Sequence, residues 1–155
     1  MIFCLFFIDD DTILGDLWKI VIENETVHWS WESGSDVCTT NVGCRGDSSG
    51  WIQSDGNLRL YAGRRTFSSK GKNCNRYKPL TFTVVVNDIW EHQVSTSEWI
   101  SLGNKEPSQG EIGVPNTSNW PRKRFGSMFW NIGDKFWFFG GQKDWDGTSK
   151  ELWFM

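Results

Sequence analysis

The sequence predicts an all-β protein, and three observations carry that expectation. The apolar runs are short, about five to eight residues. Clusters of Gly, Asn, Asp and Ser separate them. No stretch keeps the 3.6-residue apolar period of an amphipathic helix. With 11 Trp and 11 Phe in 155 residues, the chain also carries too much aromatic mass to stay disordered.

The elements follow in order. Met1 to Ile8 is apolar throughout and is bounded by Asp9-Asp10-Asp11. It has strand length, and it lacks the basic n-region and small-residue cleavage site of a signal peptide, so it reads as a buried strand. Leu58-Arg-Leu-Tyr61 is a strand by alternation. Thr81 to Val86 is β-branched and aromatic, a strand by composition. Phe136-Trp-Phe-Phe139 is a strand ending in Gly140-Gly141.

These elements repeat. Asp55 to Gly63 aligns with Gly133 to Gly141 at an offset of 78, bringing turn, apolar strand and terminal glycine into register. Asn87-Asp-Ile-Trp90 aligns with Lys150-Glu-Leu-Trp153 at an offset of 63, and Gly15-Asp-Leu-Trp18 is a third copy. A further Trp follows after a polar turn: Trp29 or Trp31 after Trp18, and Trp99 after Trp90. Trp51 and Trp130 open the corresponding first strands. One unit is therefore a strand with Trp, a turn, a strand ending in Gly, a loop, a strand carrying acid-apolar-Trp, a turn, and a last strand with Trp. Terminal glycine permits positive φ and close backbone approach, and the indoles fill the space between neighbouring sheets.

This pattern resembles the kelch repeat family. Phe138-Phe139-Gly140-Gly141 is similar to that family's double-glycine strand end, Trp120 to Arg124 before Phe125-Gly-Ser127 to its lead-in segment, and Leu152-Trp153 to its third strand. Asp16-Leu-Trp18 with Trp29 to Gly34 resembles the longer kelch variety of galactose-oxidase-like and attractin-like propellers. Ala62-Gly63 replaces the glycine pair in the middle copy, and no glycine follows Phe6-Phe7-Ile8 in the first. The resemblance implies an incomplete β-propeller of two to three four-stranded antiparallel blades over residues 1–155, with blades at about 1–34, 47–103 and 122–155. Its structural positions are Trp18, Trp90, Trp153, Gly63, Gly140 and Gly141. Such a piece would expose two aromatic sheet faces, so self-association through the open blade faces is expected unless other blades complete the ring.

In an antiparallel meander the long connections, about 34–48, 64–80 and 103–121, share one end of the sheets, where binding usually resides. Residues 1–50 carry nine acids against two bases, whereas Arg64 to Lys78 contains six bases and no acid. The candidate contact residues are Arg64, Arg65, Lys70, Lys72, Arg76, Tyr77 and Lys78, for an acidic partner, a sulfated glycan or a phosphate; a solvated insertion is the competing reading. Arg45-Gly-Asp47 spells an integrin-ligand tripeptide. Asn24-Glu-Thr26 and Asn116-Thr-Ser118 match glycosylation acceptors, which matter only in a secreted chain. Asp144-Trp-Asp146-Gly147 is a fragment of a calcium-loop pattern.

A net charge of −3 excludes an ordinary polybasic nucleic-acid binder, and no apolar run is long enough to span a membrane. Of the two histidines, His28 and His92, each reads as a surface or edge residue. No metal set, phosphate loop or nucleophile elbow is visible, so neither a cofactor nor catalysis is expected. Cys4, Cys38, Cys44 and Cys74 form no C-x-x-C; Cys38 and Cys44 can bridge in an oxidising compartment, and the sequons lean the same way, towards the extracellular side. The expectation is a non-catalytic interaction scaffold with a protein partner. The alternatives are a fragment of a secreted galactose-oxidase-like enzyme, or a truncated product without independent activity.

Overall fold

The computed structural model describes residues 2–5, 8–9, 12–13, 16–34, 42–69, 80–104, 108, 113–116, 118–144 and 147–155, with only the backbone at 2–13, 66–69 and 80–82. Among them there is no helix. The strands are β1 (Ile2–Leu5), β2 (Ile8–Asp9), β3 (Thr12–Ile13), β4 (Leu17–Glu23), β5 (Thr26–Ser33), β6 (Arg45–Gly46), β7 (Ser49–Ile52), β8 (Leu58–Ser69), β9 (Leu80–Gln93), β10 (Glu98–Gly103), β11 (Arg124–Phe125), β12 (Met128–Ile132), β13 (Lys135–Phe139), β14 (Gln142–Lys143) and β15 (Leu152–Phe154). The main sheets run in the orders β1-β4-β5, β10-β9-β8-β6 with β7 also on β8, and β12-β13-β15, and β11-β14 and β2-β3 form two-stranded ladders. Every pairing with a defined register is antiparallel. The chain divides into two compact units, Met1–Gly46 with Arg65–Val84, and Asp47–Arg64 with Val85–Met155.

In the first unit, β4 and β5 form a hairpin whose turn, Asn24-Glu25, has both residues at positive φ (49° and 63°). That is the turn whose twist suits antiparallel strands. The register sets Trp18 against Trp31, Ile20 against Trp29 and Ile22 against Val27, which puts all six on one face. The opposite face is polar and carries the Lys19–Glu32 ion pair at 3.9 Å.

The second unit holds the main core. Trp51, Tyr61, Ala62, Ile89, Phe136 and Phe138 form one buried cluster, with Trp120 and Trp153 packed against it. Trp51 stacks on Phe136 with ring centroids 3.8 Å apart and planes 11° from parallel. Tyr61 meets Phe138 at 5.1 Å. Alternation explains which side chains of the last sheet take part. Phe129, Phe138 and Trp153 are aligned across the three strands on the core side, while Met128, Phe139 and Leu152 are aligned on the other.

The short turns lie where the sequence predicts. Asp55 caps the β7–β8 turn, its Oδ1 accepting the Asn57 amide at 2.9 Å, and the β9–β10 turn closes with the Ser97 amide donating to the Gln93 carbonyl at 2.8 Å. Two expectations need correction. The strand read as ending at Gly63 continues to Ser69, and β9 starts at Leu80, so Arg64 and Arg65 lie in a long hairpin rather than a loop. The β-branched and aromatic residues on both arms sustain pairing past the glycine. His92, read as a surface or edge residue, is buried on an inner strand. Its register opposite Trp99 turns it inward, where the indole meets it edge-on at 5.1 Å.

Candidate functional site

The aligned tryptophans share one local geometry. Each acidic residue two positions before the Trp accepts its indole N–H: Asp16 from Trp18 at 2.5 Å, Asp88 from Trp90 at 2.7 Å, and Glu151 from Trp153 at 3.0 Å. Residues two apart on a strand point the same way, and a half-buried indole N–H needs an acceptor. The acid-apolar-Trp spacing supplies it.

The positive-φ pairs match as well. Ala62 and Gly63 have φ of 60° and 100°, and Gly140 and Gly141 have 70° and 88°. Gly141 also lacks room for a side chain, since a Cβ there would lie 2.4 Å from Ser127 Oγ. Ser48 Oγ donates to the Ala62 carbonyl at 2.9 Å, as Ser127 Oγ does to the Gly140 carbonyl at 3.3 Å. An arginine precedes each serine by three residues, and both Arg45 and Arg124 are 0% exposed. Arg124 donates to the carbonyls of Arg122 and Gly140, to Ser149 Oγ, and to Glu151 Oε2 at 2.7 Å. Arg45 donates to the Val42 carbonyl. Its burial removes the exposed cation that an integrin-type reading of residues 45–47 requires.

Glu151 joins these features. Partial burial works to raise the carboxyl pKa, but hydrogen bonds from Arg124 and Trp153, with the charges of Arg124 and Lys143, outweigh it and hold the group at about 2. For the Tyr61 phenol, burial dominates and pushes it above the ordinary tyrosine range, against the lowering pull of Arg124.

Beside this framework lies an open depression of about 370 Å³, lined by Asp47, Phe125, Gly126, Gly141, Gln142 and Thr148. Arg64 braces one wall. Its Nε donates to Asp47 Oδ2 at 2.7 Å, and its guanidinium lies 4.8 Å from the Phe125 ring centroid. The Gly126 amide donates to the Asp47 carbonyl at 2.9 Å. The lining therefore offers a paired carboxylate, an aromatic ring, an amide, a hydroxyl and glycine backbone. Each of these groups can donate to, accept from or pack against a ligand.

Of the predicted contact residues, Arg64 is engaged at this depression. Arg65 lies over the backbone of Gly43, where a Cβ would collide with its guanidinium. Lys70, Lys72, Arg76, Tyr77 and Lys78 lie outside the described residues, as do Cys38, Cys74 and Asp146. Cys44 is disulfide-bonded. Sequence reasoning missed Asp47, Phe125, Gln142 and Thr148 as a group. The available signal was a second alignment at an offset of 79, Arg45-Gly-Asp-Ser48 on Arg124-Phe-Gly-Ser127. Among the described residues, no three His, Cys, Asp or Glu converge as a metal set, and no helix is long and apolar enough to cross a membrane.

No protein-family model matches the chain, and no curated protein does. Among solved structures, that of YjhT matches with a TM-score of 0.53 at 21% identity. The match covers 90% of this chain and 33% of YjhT, so this chain spans about a third of that protein's length. At that identity the likeness shows the fold alone: a β-sheet-rich chain of antiparallel sheets.

Proposed function

We propose that this chain is a kelch-type propeller segment and a non-catalytic interaction scaffold, binding a protein partner at the end of the sheets that carries the Asp47–Arg64–Phe125 depression. Three acid-to-indole hydrogen bonds at matching strand positions support the repeat reading. So do the paired positive-φ residues that end β13 and the corresponding part of β8. The observation that carries the binding reading is the depression itself, open and lined by recognition groups on turns and on the short β11–β14 ladder. An open shallow surface suits a protein loop better than a small substrate, which deep clefts enclose. We assign the chain to an oxidising, extracellular-type compartment. The Cys44 disulfide supports this, as do two exposed acceptor asparagines, Asn24 and Asn116.

The experiment is protein capture on the immobilised chain, with Thr148→Arg and Gln142→Arg in parallel. Both side chains are exposed, and circular dichroism checks the fold of each variant. Proteins held by the parent chain are expected to be lost from both variants. Capture that neither substitution alters, or no capture at all, would contradict the reading.

A further inference from the structure

Among the described residues two sheet faces stand open and differ in kind. On the β4–β5 hairpin, Trp29 and Trp31 are 51% and 55% exposed, with Ile22 and Val27 beside them. This is the face that carries Trp18. On β12-β13-β15, the open face is the one opposite Trp153, with Met128, Phe139 and Leu152 exposed.

The core of the second unit shows what such faces do when they meet. One side of it is Trp51, Tyr61 and Ile89, and against them pack Phe136, Phe138 and Trp153 of the last sheet. The last sheet repeats the first side on its own open face. Trp130 stands opposite Trp137 as Trp51 stands opposite Arg59, Phe139 aligns with Tyr61, and Leu152 aligns with Ile89. The hairpin in turn carries the Trp of the second side, because Trp18 matches Trp153 in strand position and in its acid-bound indole. The first side of the core interface therefore recurs on the open face of the last sheet, and the acid-bound Trp of its second side recurs on the open face of the hairpin.

From this juxtaposition we propose that a second copy of this chain covers them, the Trp29–Trp31 face of one copy lying on the Phe139–Leu152 face of the other. The contact is heterologous, since two different patches meet. Aromatic and aliphatic side chains exclude water between copies as they do within the core. The proposal rests on the repeat reading above but is independent of the loop-end depression.

Light scattering on the sized chain tests it, with two double variants, Trp29→Glu/Trp31→Glu and Phe139→Glu/Leu152→Glu. The parent is expected to show at least twice the mass of one chain, and each variant alone is expected to fall to the mass of one chain. An equimolar mixture of the two is expected to form a pair and nothing larger, because each variant keeps one intact face. A parent that stays at the mass of one chain overturns the proposal. So does a variant that still associates alone, or a mixture that does not pair. Should circular dichroism show lost sheet in a glutamate variant, Trp31→Ser and Leu152→Ser replace it under the same criteria. Thr148→Arg, which lies off both faces, is expected to leave the mass unchanged. A lower mass there would move the contact to the loop end and overturn the proposal, whereas capture lost at unchanged mass leaves both readings standing.

Discussion

Residues 58–63 and 136–141 share a local pattern and have very different surroundings. Both carry a pair of positive-φ residues, Ala62-Gly63 within β8 and Gly140-Gly141 just after β13. Leu58 and Leu60 are buried, as are their counterparts Phe136 and Phe138. The other face diverges: Tyr61 is buried, whereas Phe139 is 44% exposed. Strand and turn follow from local sequence, but burial follows from the neighbour. Tyr61 has Phe138 packed against it; among the described residues, no ring contact covers Phe139. An aromatic at this position is a core residue or an open surface according to whether another sheet lies upon it.

The comparison breaks most visibly at the two adjacent phenylalanines of β13. Phe138→Ala removes a wholly buried ring and is expected to cost about 3–5 kcal/mol, while Phe139→Ala in dilute solution is expected to cost less than about 1 kcal/mol. Urea unfolding monitored by tryptophan emission measures both, and equal losses would mean that the two faces are not distinct. Arg124→Ala is expected to cost about 1–3 kcal/mol, because it removes a buried donor shared by the Gly140 carbonyl, Ser149 Oγ and the Glu151 carboxylate.

Acid sharpens the same point. Glu151 has a folded pKa of about 2, below its unfolded value of 4.5, so its contribution is complete above 4.5 and is lost as pH falls towards 2. Unfolding midpoints measured across that window are expected to fall in the parent and to fall less steeply in Glu151→Gln. The smallest effects concern the strand ends. Gly140→Ala meets ordinary contacts but a φ of 70°, and is expected to cost about 1–2 kcal/mol. Ala62→Gly relieves the same strain in the middle copy and is expected to stabilise by about 0.5 kcal/mol. Opposite signs at these two positions would be seen as shifts in the melting midpoint.

How much of this the sequence made legible depends on distance along the chain. The all-β class and the matching of Trp18, Trp90 and Trp153 were readable because strand alternation and the acid-apolar-Trp spacing are local signals. The length of β8 was not. Glycine reads as a terminus, yet pairing with β9 carries the strand past Gly63. The burial of Arg45 and Arg124 was hidden because arginine is ordinarily exposed, and only partners such as Glu151, 27 residues on from Arg124, make its burial tolerable. The depression was invisible for the same reason. Asp47, Arg64, Phe125 and Thr148 belong to separate segments that only the folded sheets bring together.

The central claim is that one acid-x-Trp unit recurs in three sheets with the same hydrogen bond. Indole N–H resonances, with nitrogen-15 labelling and Trp→Phe assignments, test it most directly. The account expects Asp16→Ala, Asp88→Ala and Glu151→Ala each to shift and deprotect one indole signal, that of Trp18, Trp90 and Trp153 respectively. Three indole signals that stay put when their acids are removed would contradict it.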